Sequence, residues 1–211
     1  MITIYHLETS RSERIIWLME ELGLPYDLQR FPRDASMRAG EAYRALHPRG
    51  KSPIIRDGDT VLIESGAIVE YVISRYGDGR LSASVGAPEY ARYLQWLHFA
   101  EGTVMTQFLV ELFLRRSTAN PDRSQAFVDS IGERTLDILT FIDNELEGQA
   151  YFAGREFTAA DIMMVYCFGM AGDFLNVDMT RYPNIAAYLG RIAQRPAYRK
   201  AMAIANPTQS V

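Results

Sequence analysis

The sequence predicts an α/β domain joined by a short linker to an all-helical domain, and three observations carry that reading. Over the first 80 residues, short apolar runs of alternating period are interleaved with stretches whose apolar positions recur every three or four residues. At 81–88 the chain becomes small, polar and Gly/Pro-bearing, as a linker does. From Glu89 onward every patterned stretch reads as helix. The expected organisation is therefore a domain over 1–80, a linker over 81–88 and an all-helical domain over 89–211.

Ile2-Thr-Ile-Tyr-His-Leu alternates as a half-buried strand should. Ile15, Ile16, Leu18, Met19 and Leu22 then mark the core face of a helix, ended by Gly23 with Pro25 close behind. Tyr26–Phe31 returns as a second strand, and tight connections around the helix predict a parallel crossover unit. Pro32–Gly40 reads as a loop and Glu41–Leu46 as a short helix ending before His47-Pro48. Pro53-Ile-Ile-Arg pairs with Thr60-Val-Leu-Ile across Asp57-Gly58-Asp59, a hairpin signal. Ala67, Ile68, Tyr71, Val72 and Tyr76 form one more helical stripe, closed by Gly77. The order is βαβ, a short helix, then ββα: a four-stranded α/β domain.

In the second part, Glu89–Arg116 reads as one long helix with Arg115 and Arg116 at its C-terminal end, where cations suit the dipole. Pro121–Glu147 is a second, opened by Asn120 as cap and proline in the first turn. Thr158-Ala-Ala-Asp161 opens a third with a capping-box pattern, flanked by Phe157 and Ile162 as a hydrophobic staple. Pro183 and Pro196 open the last two. Trp96, Phe99, Phe108 and Phe113 are expected mostly in the core, with positions near Glu101–Met105 facing a pocket.

Composition removes several function classes. The chain has 211 residues and a formal charge of −4, so it lacks the basic footprint of a nucleic-acid binder. Its apolar runs fall far short of the roughly 20 residues of a membrane span, and Met1-Ile-Thr-Ile-Tyr-His has neither the basic nor the apolar region of a signal peptide. One cysteine, Cys167, forms no internal disulfide and no four-ligand zinc site. His98-x-x-Glu101 is at most half of a helical metal site, so no metal is expected. The chain is expected to be soluble and cytoplasmic, in a reducing compartment.

Three places offer chemistry, because an α/β domain aims unpaired N–H groups and a positive dipole end outward at its helix N-termini. In Thr9-Ser10-Arg11-Ser12, Ser12 is expected to cap the helix, and Ser10 either caps or presents its hydroxyl to an anion. In Gly50-Lys51-Ser52-Pro53 the proline suits a strand start or a cis turn; an ordinary trans bond is the default, and a cis bond would leave the Ser52 backbone free for an extended peptide ligand. In Glu64-Ser65, Ser65 with its helix N–H groups suits a carboxylate and Glu64 an ammonium, the alternative again being a cap.

Taken in order, Ser10-x-x-x-Arg14, His47-Pro-x-Gly-Lys51-Ser52-Pro53 and Glu64-Ser65-Gly resemble the soluble glutathione transferases, in particular the serine-type bacterial and fungal branch. The resemblance covers essentially the whole chain. It implies a thioredoxin-like N-terminal domain, a helical C-terminal domain that contributes a hydrophobic co-substrate pocket, and usually a homodimer. It implies Ser10 as the catalytic serine and Pro53 as a cis-proline. Ser52 would pair through its main chain with the cysteinyl unit, Glu64 and Ser65 would grip the γ-glutamyl end, and Lys51 with Arg38 would lie near the glycyl end. Tyr5, on the first strand where other branches carry a catalytic tyrosine, and Thr9, one residue before Ser10, are the competing sulfur contacts.

The function so implied is attack of an activated glutathione thiolate on a hydrophobic electrophile, glutathione being a co-substrate and no other cofactor being needed. A glutathione-dependent peroxidase, disulfide reductase or isomerase on the same scaffold is the alternative enzyme, and a non-catalytic glutathione or ligand binder the alternative outside catalysis.

Overall fold

The computed structural model describes residues 1–117 and 125–207. Its sheet has four strands: β1 (Ile2–Leu7), β2 (Tyr26–Phe31), β3 (Ile54–Asp57) and β4 (Thr60–Ile63), in the order β2-β1-β3-β4. β1 runs parallel to β2 in the register Ile2↔Tyr26 and antiparallel to β3 with Ile4↔Ile55; β3 and β4 form the expected hairpin. The βαβ half and the ββα half are thus stitched along the central pair β1–β3. Period two splits β1 between two buried faces. Ile2, Ile4 and His6 point one way, while Tyr5 and Leu7 pack on the other with Tyr43 and Ile54.

Helix α1 (Ser12–Leu22) closes as the sequence predicts, with Gly23 at φ 63 and the Leu24 N–H on the Met19 carbonyl at 3.0 Å. Helix α2 (Glu41–Arg44) is shorter than expected and ends before Leu46, while α3 (Ser65–Tyr76) has the expected span. Gly77, which closes α3, is needed for another reason than its φ of −94. A Cβ there would stand 2.9 Å from the Ile73 carbonyl oxygen and 3.0 Å from the Ile73 Cα.

By packing, the described residues divide into Met1–Ser82 together with Ile192–Pro207, and those between Ala83 and Arg191. The sequence puts everything from Glu89 into the helical domain, but α9 (Pro196–Ala205) lies against α1 in the first unit. The cause is the side chains α1 presents. Tyr198 meets Trp17 edge-on at 4.8 Å between centroids, Arg195 grips Glu21 with two bonds of 2.7 Å, and Lys200 pairs with Glu20 at 2.6 Å. The carbonyls of Ile204 and Ala205, at the C-terminal end of α9, accept from Arg30 on β2.

In the second unit, α4 (Tyr90–Phe99), a π-helical stretch (Ala100–Met105) and α5 (Thr106–Arg116) follow one another without a break over the span predicted as one helix. Next come α6 (Gln125–Glu145), α7 (Ala159–Gly169), a second π stretch (Met170–Phe174), a 3₁₀ turn (Met179–Arg181) and α8 (Pro183–Ala193). The predicted Asn120-Pro121 opening of α6 lies outside the described residues. The capping box at Thr158 forms, with the Thr158 N–H on the Asp161 carboxylate at 2.8 Å. Trp96 and Phe108 are fully buried, as expected; Phe113 is 66% exposed, because it points off the outer side of α5. Cys167 is fully buried, its Sγ 3.7 Å from the Ala100 carbonyl.

Candidate active site

The turn from β1 into α1 is held in an unusual backbone conformation. Thr9 sits at φ 50, a left-handed geometry that costs a β-branched residue of the order of 1–2 kcal/mol. Arg33, just past β2, holds it there. Its guanidinium donates to the Glu8 carbonyl at 2.7 Å and the Thr9 carbonyl at 2.8 Å, and also to the Met37 carbonyl at 2.8 Å. The strained turn brings Ser10 in beneath the N-terminus of α1.

Ser10 is almost wholly buried, and its Oγ donates to the Leu7 carbonyl at 2.6 Å. Two further hydroxyls stand beside it, Ser12 Oγ at 2.8 Å and Ser52 Oγ at 2.7 Å. The predicted cap is a correction. Ser12 is the first residue of α1, after Arg11 at the cap position, and its hydroxyl turns inward to Ser10 and to His6 Nδ1, each 2.8 Å away. Turning outward to the helix end would leave those buried polar groups unmet.

The Ser52–Pro53 bond is cis, as the resemblance implies. Two of the three segments singled out in the sequence therefore meet through one hydroxyl pair, Ser10 and Ser52. The third joins through Arg14, which is buried on α1 and reaches the Ser65 hydroxyl at 3.4 Å. Glu64, before α3, is exposed and holds φ 72. Lys51 is exposed beside the cis bond. Arg38 is exposed in the β2–α2 loop, its Nε 3.9 Å from Asp34, and no bond links it to the Ser10 cluster.

Of the competing sulfur contacts, Tyr5 packs in the core of the sheet with its hydroxyl accepting from Arg56 Nε at 3.0 Å. Thr9 spends its main-chain carbonyl on Arg33. Burial lowers the His6 pKa below its ordinary 6.5 and raises that of Glu13 in the first turn of α1. The Tyr43 hydroxyl, 3.3 Å from the Tyr5 carbonyl, is pushed up to about 12 by burial. The cluster so built offers hydroxyl donors and a helix N-terminus, with the Glu13 carboxyl on the Ser10 backbone and the His6 imidazole behind Ser12. The hydroxyls and the helix N–H groups suit an anion. Among the described residues no group of three or more His, Cys, Asp or Glu is placed to hold a metal ion.

Two residues of this site escape the sequence reading. His6 falls on the same face of β1 as Ile2 and Ile4, so period two alone flags it as a buried polar group in need of partners. Arg33 lies in a loop with no pattern, and nothing short of the folded turn reveals its task.

The sequence and fold can be set beside known proteins. Residues 4–80 match the family model for the glutathione S-transferase N-terminal domain and residues 103–196 that for the C-terminal domain. Glutathione S-transferase 3 of Schizosaccharomyces pombe is 35% identical over 94% of this chain and 86% of its own length. A glutathione S-transferase from Actinobacillus pleuropneumoniae superposes with a TM-score of 0.89 at 30% identity, over 98% of this chain and 93% of that one. A sphingomonad glutathione S-transferase, solved in complex with glutathione, superposes with a TM-score of 0.77 at 28% identity, over 96% and 98%. With both halves matched in order and the thioredoxin-like sheet followed by helices, the chain belongs to the glutathione S-transferase family.

Proposed function

We propose that the protein conjugates glutathione to hydrophobic electrophiles and that Ser10 donates its hydroxyl to the glutathione thiolate. The observation that carries this reading is the Ser10–Ser52 pair at 2.7 Å. It puts the serine at the N-terminal end of α1 directly beside the cis bond at which the cysteinyl unit would pair with the main chain of Ser52. In the same reading Glu64 and Ser65 hold the γ-glutamyl end, and Lys51 and Arg38 lie toward the glycyl end.

A free thiol near pKa 8.5 is mostly protonated at neutral pH. A hydrogen bond to the charged form contributes about 1.5–3 kcal/mol, which lowers the thiol pKa by roughly 1–2 units. The helix N-terminus acts in the same direction. Ser10 needs only to donate, and no base is required of it. Ser10→Ala should therefore cut turnover at pH 7 by about 8- to 25-fold with little change in glutathione affinity, the deficit shrinking as pH rises past the free thiol pKa. Retention on immobilised glutathione, then turnover on a panel of aryl halides, other electrophiles and peroxides, tests the assignment. Equal activity of wild type and variant across the pH range overturns it.

The same reading makes the protein a homodimer of the cytoplasm with no bound cofactor. It draws support from the family's usual habit. Light scattering across a concentration series checks the dimer.

A further inference from the structure

His6 is a fully buried titratable residue for which the proposed chemistry has no use. Its two ring nitrogens face different partners. Nε2 lies 3.0 Å from the Ala205 carbonyl of α9, which can only accept, so Nε2 carries a proton whatever the charge of the ring. Nδ1 lies 2.8 Å from Ser12 Oγ, which can give or take.

Each hydroxyl in the cluster has a single proton, so its direction can be worked out from one end. With Nδ1 bare, Ser12 donates to it and shows Ser10 only lone pairs. Ser10 then donates within the protein, to the Leu7 carbonyl at 2.6 Å, to Ser12 at 2.8 Å or to Ser52 at 2.7 Å. With a proton on Nδ1, the imidazolium donates to Ser12. The Ser12 proton passes to Ser10 Oγ or to the Leu7 carbonyl 3.3 Å away, and the Ser10 proton is released to point at a ligand. Chains of this kind reinforce one another bond by bond.

We propose that His6 is a positioning residue which, through Ser12, sets whether Ser10 donates into the protein or out to the glutathione sulfur. The inference rests on Ser10 being the donor to that sulfur. It also gives α9 a part in the site, since the Ala205 carbonyl fixes which nitrogen of His6 faces Ser12.

The surroundings hold the free protein in the inward state. Burial is the largest influence and disfavours the imidazolium; the Ala205 carbonyl opposes it, Arg30 on β2 adds to it, and Glu8 in the turn favours the charge. On α1, Glu13 is engaged by the Asn206 side chain and the Ser10 backbone. A thiolate bound at Ser10 favours the outward state, and because coupling is reciprocal the same thiolate favours a proton on His6.

The test compares glutathione with S-methylglutathione, a thioether that cannot become a thiolate, on the full chain labelled with ¹⁵N-histidine. The His6 signal among the three histidines is identified by its loss in His6→Gln. The expected result is a His6 pKa at least one unit higher with glutathione than with S-methylglutathione, a tenfold change in its protonation constant, and no such difference in Ser12→Ala. His6→Gln keeps a donor for Ala205 and an acceptor for Ser12 but takes up no proton. It should raise the pKa of the bound thiol, read from thiolate ultraviolet absorbance, about tenfold in its dissociation constant. Equal His6 pKa values with the two ligands overturn the inference. Should Ser10→Ala raise the bound thiol pKa while His6 ignores the ligand, only the role of His6 falls. Should Ser10→Ala leave that pKa unchanged, the Ser10 assignment falls and the inference with it.

Discussion

Replacing Asp161 by alanine removes an acceptor that four donors share. Asp161 is fully buried at the start of α7. One carboxylate oxygen takes the Phe152 N–H and the Tyr188 hydroxyl, each at 3.0 Å, and the other takes the Thr158 N–H at 2.8 Å and the Thr158 hydroxyl at 3.3 Å. The Thr158 hydroxyl can rotate to another partner, but two backbone N–H groups and a buried phenol cannot. At about 1–3 kcal/mol for each of these three buried donors left unmet, the loss is roughly 3–9 kcal/mol. Against it stands the relief of a buried charge. Burial outweighs the four donors and pushes the carboxyl from 3.8 up to about 6, which at pH 7 costs the fold up to about 3 kcal/mol at about 1.4 kcal/mol per unit. Taking the middle of that range against the relieved charge, the net expectation for Asp161→Ala is a loss of about 3 kcal/mol at pH 7, a large part of an ordinary domain's stability.

The pH dependence gives a sharper check, since a raised folded pKa means that the native state holds its proton longer than the unfolded chain. The stability from Asp161 is therefore fully present below about pH 4 and is lost as pH rises through about 6. The gap between wild type and Asp161→Ala should widen on going from pH 7 to pH 5. Urea unfolding followed by far-ultraviolet circular dichroism at both values reads this from the midpoints. A variant within about 0.5 kcal/mol of wild type, or a gap that narrows on acidification, refutes the reasoning.

Other perturbations bear on the first unit. Gly77→Ala forces a Cβ against the Ile73 backbone and should cost about 1–3 kcal/mol, visible as a lower Tm. Arg33→Ala frees the Glu8 and Thr9 carbonyls and lets the Ser10 turn relax; turnover should fall about 10- to 100-fold, with kcat affected more than glutathione binding. Thr9→Asn suits the left-handed backbone better and should raise stability by about 0.5–1 kcal/mol, a small rise in the thermal midpoint. His6 acts on stability in the opposite sense to Asp161. Its lowered folded pKa makes the fold lose stability as pH falls below 6.5, and His6→Gln should flatten that limb in urea midpoints taken from pH 7 to pH 5.

Sheet and helices were legible because they rest on local patterns: alternation along β1, the i, i+3, i+4 stripe of α1, the glycines after α1 and α3. The motif order was legible too, and it led to Ser10, Ser52-Pro53 and Glu64-Ser65. What was not legible depends on partners far along the chain. Ser12 reads as a cap from its neighbours alone; only His6, brought close by the strand before it, turns its hydroxyl inward. Likewise α9 reads as one more helix of the second domain until Trp17, Glu20 and Glu21 are seen to receive it. Phe113 has the hydrophobicity of a core residue and the position of a surface one, a difference that the helical stripe does not resolve at the edge of its arc.

The return of α9 onto α1 also has a consequence for biosynthesis. His6 emerges from the ribosome 199 residues ahead of the Ala205 carbonyl that it bonds. While the intervening helices are being made, one side of α1 with Trp17 stays open and the imidazole lacks its fixed acceptor. The first unit is thus the first to be synthesised and among the last to be finished, and the nascent chain presents an uncovered apolar surface for chaperones to shield until α9 arrives.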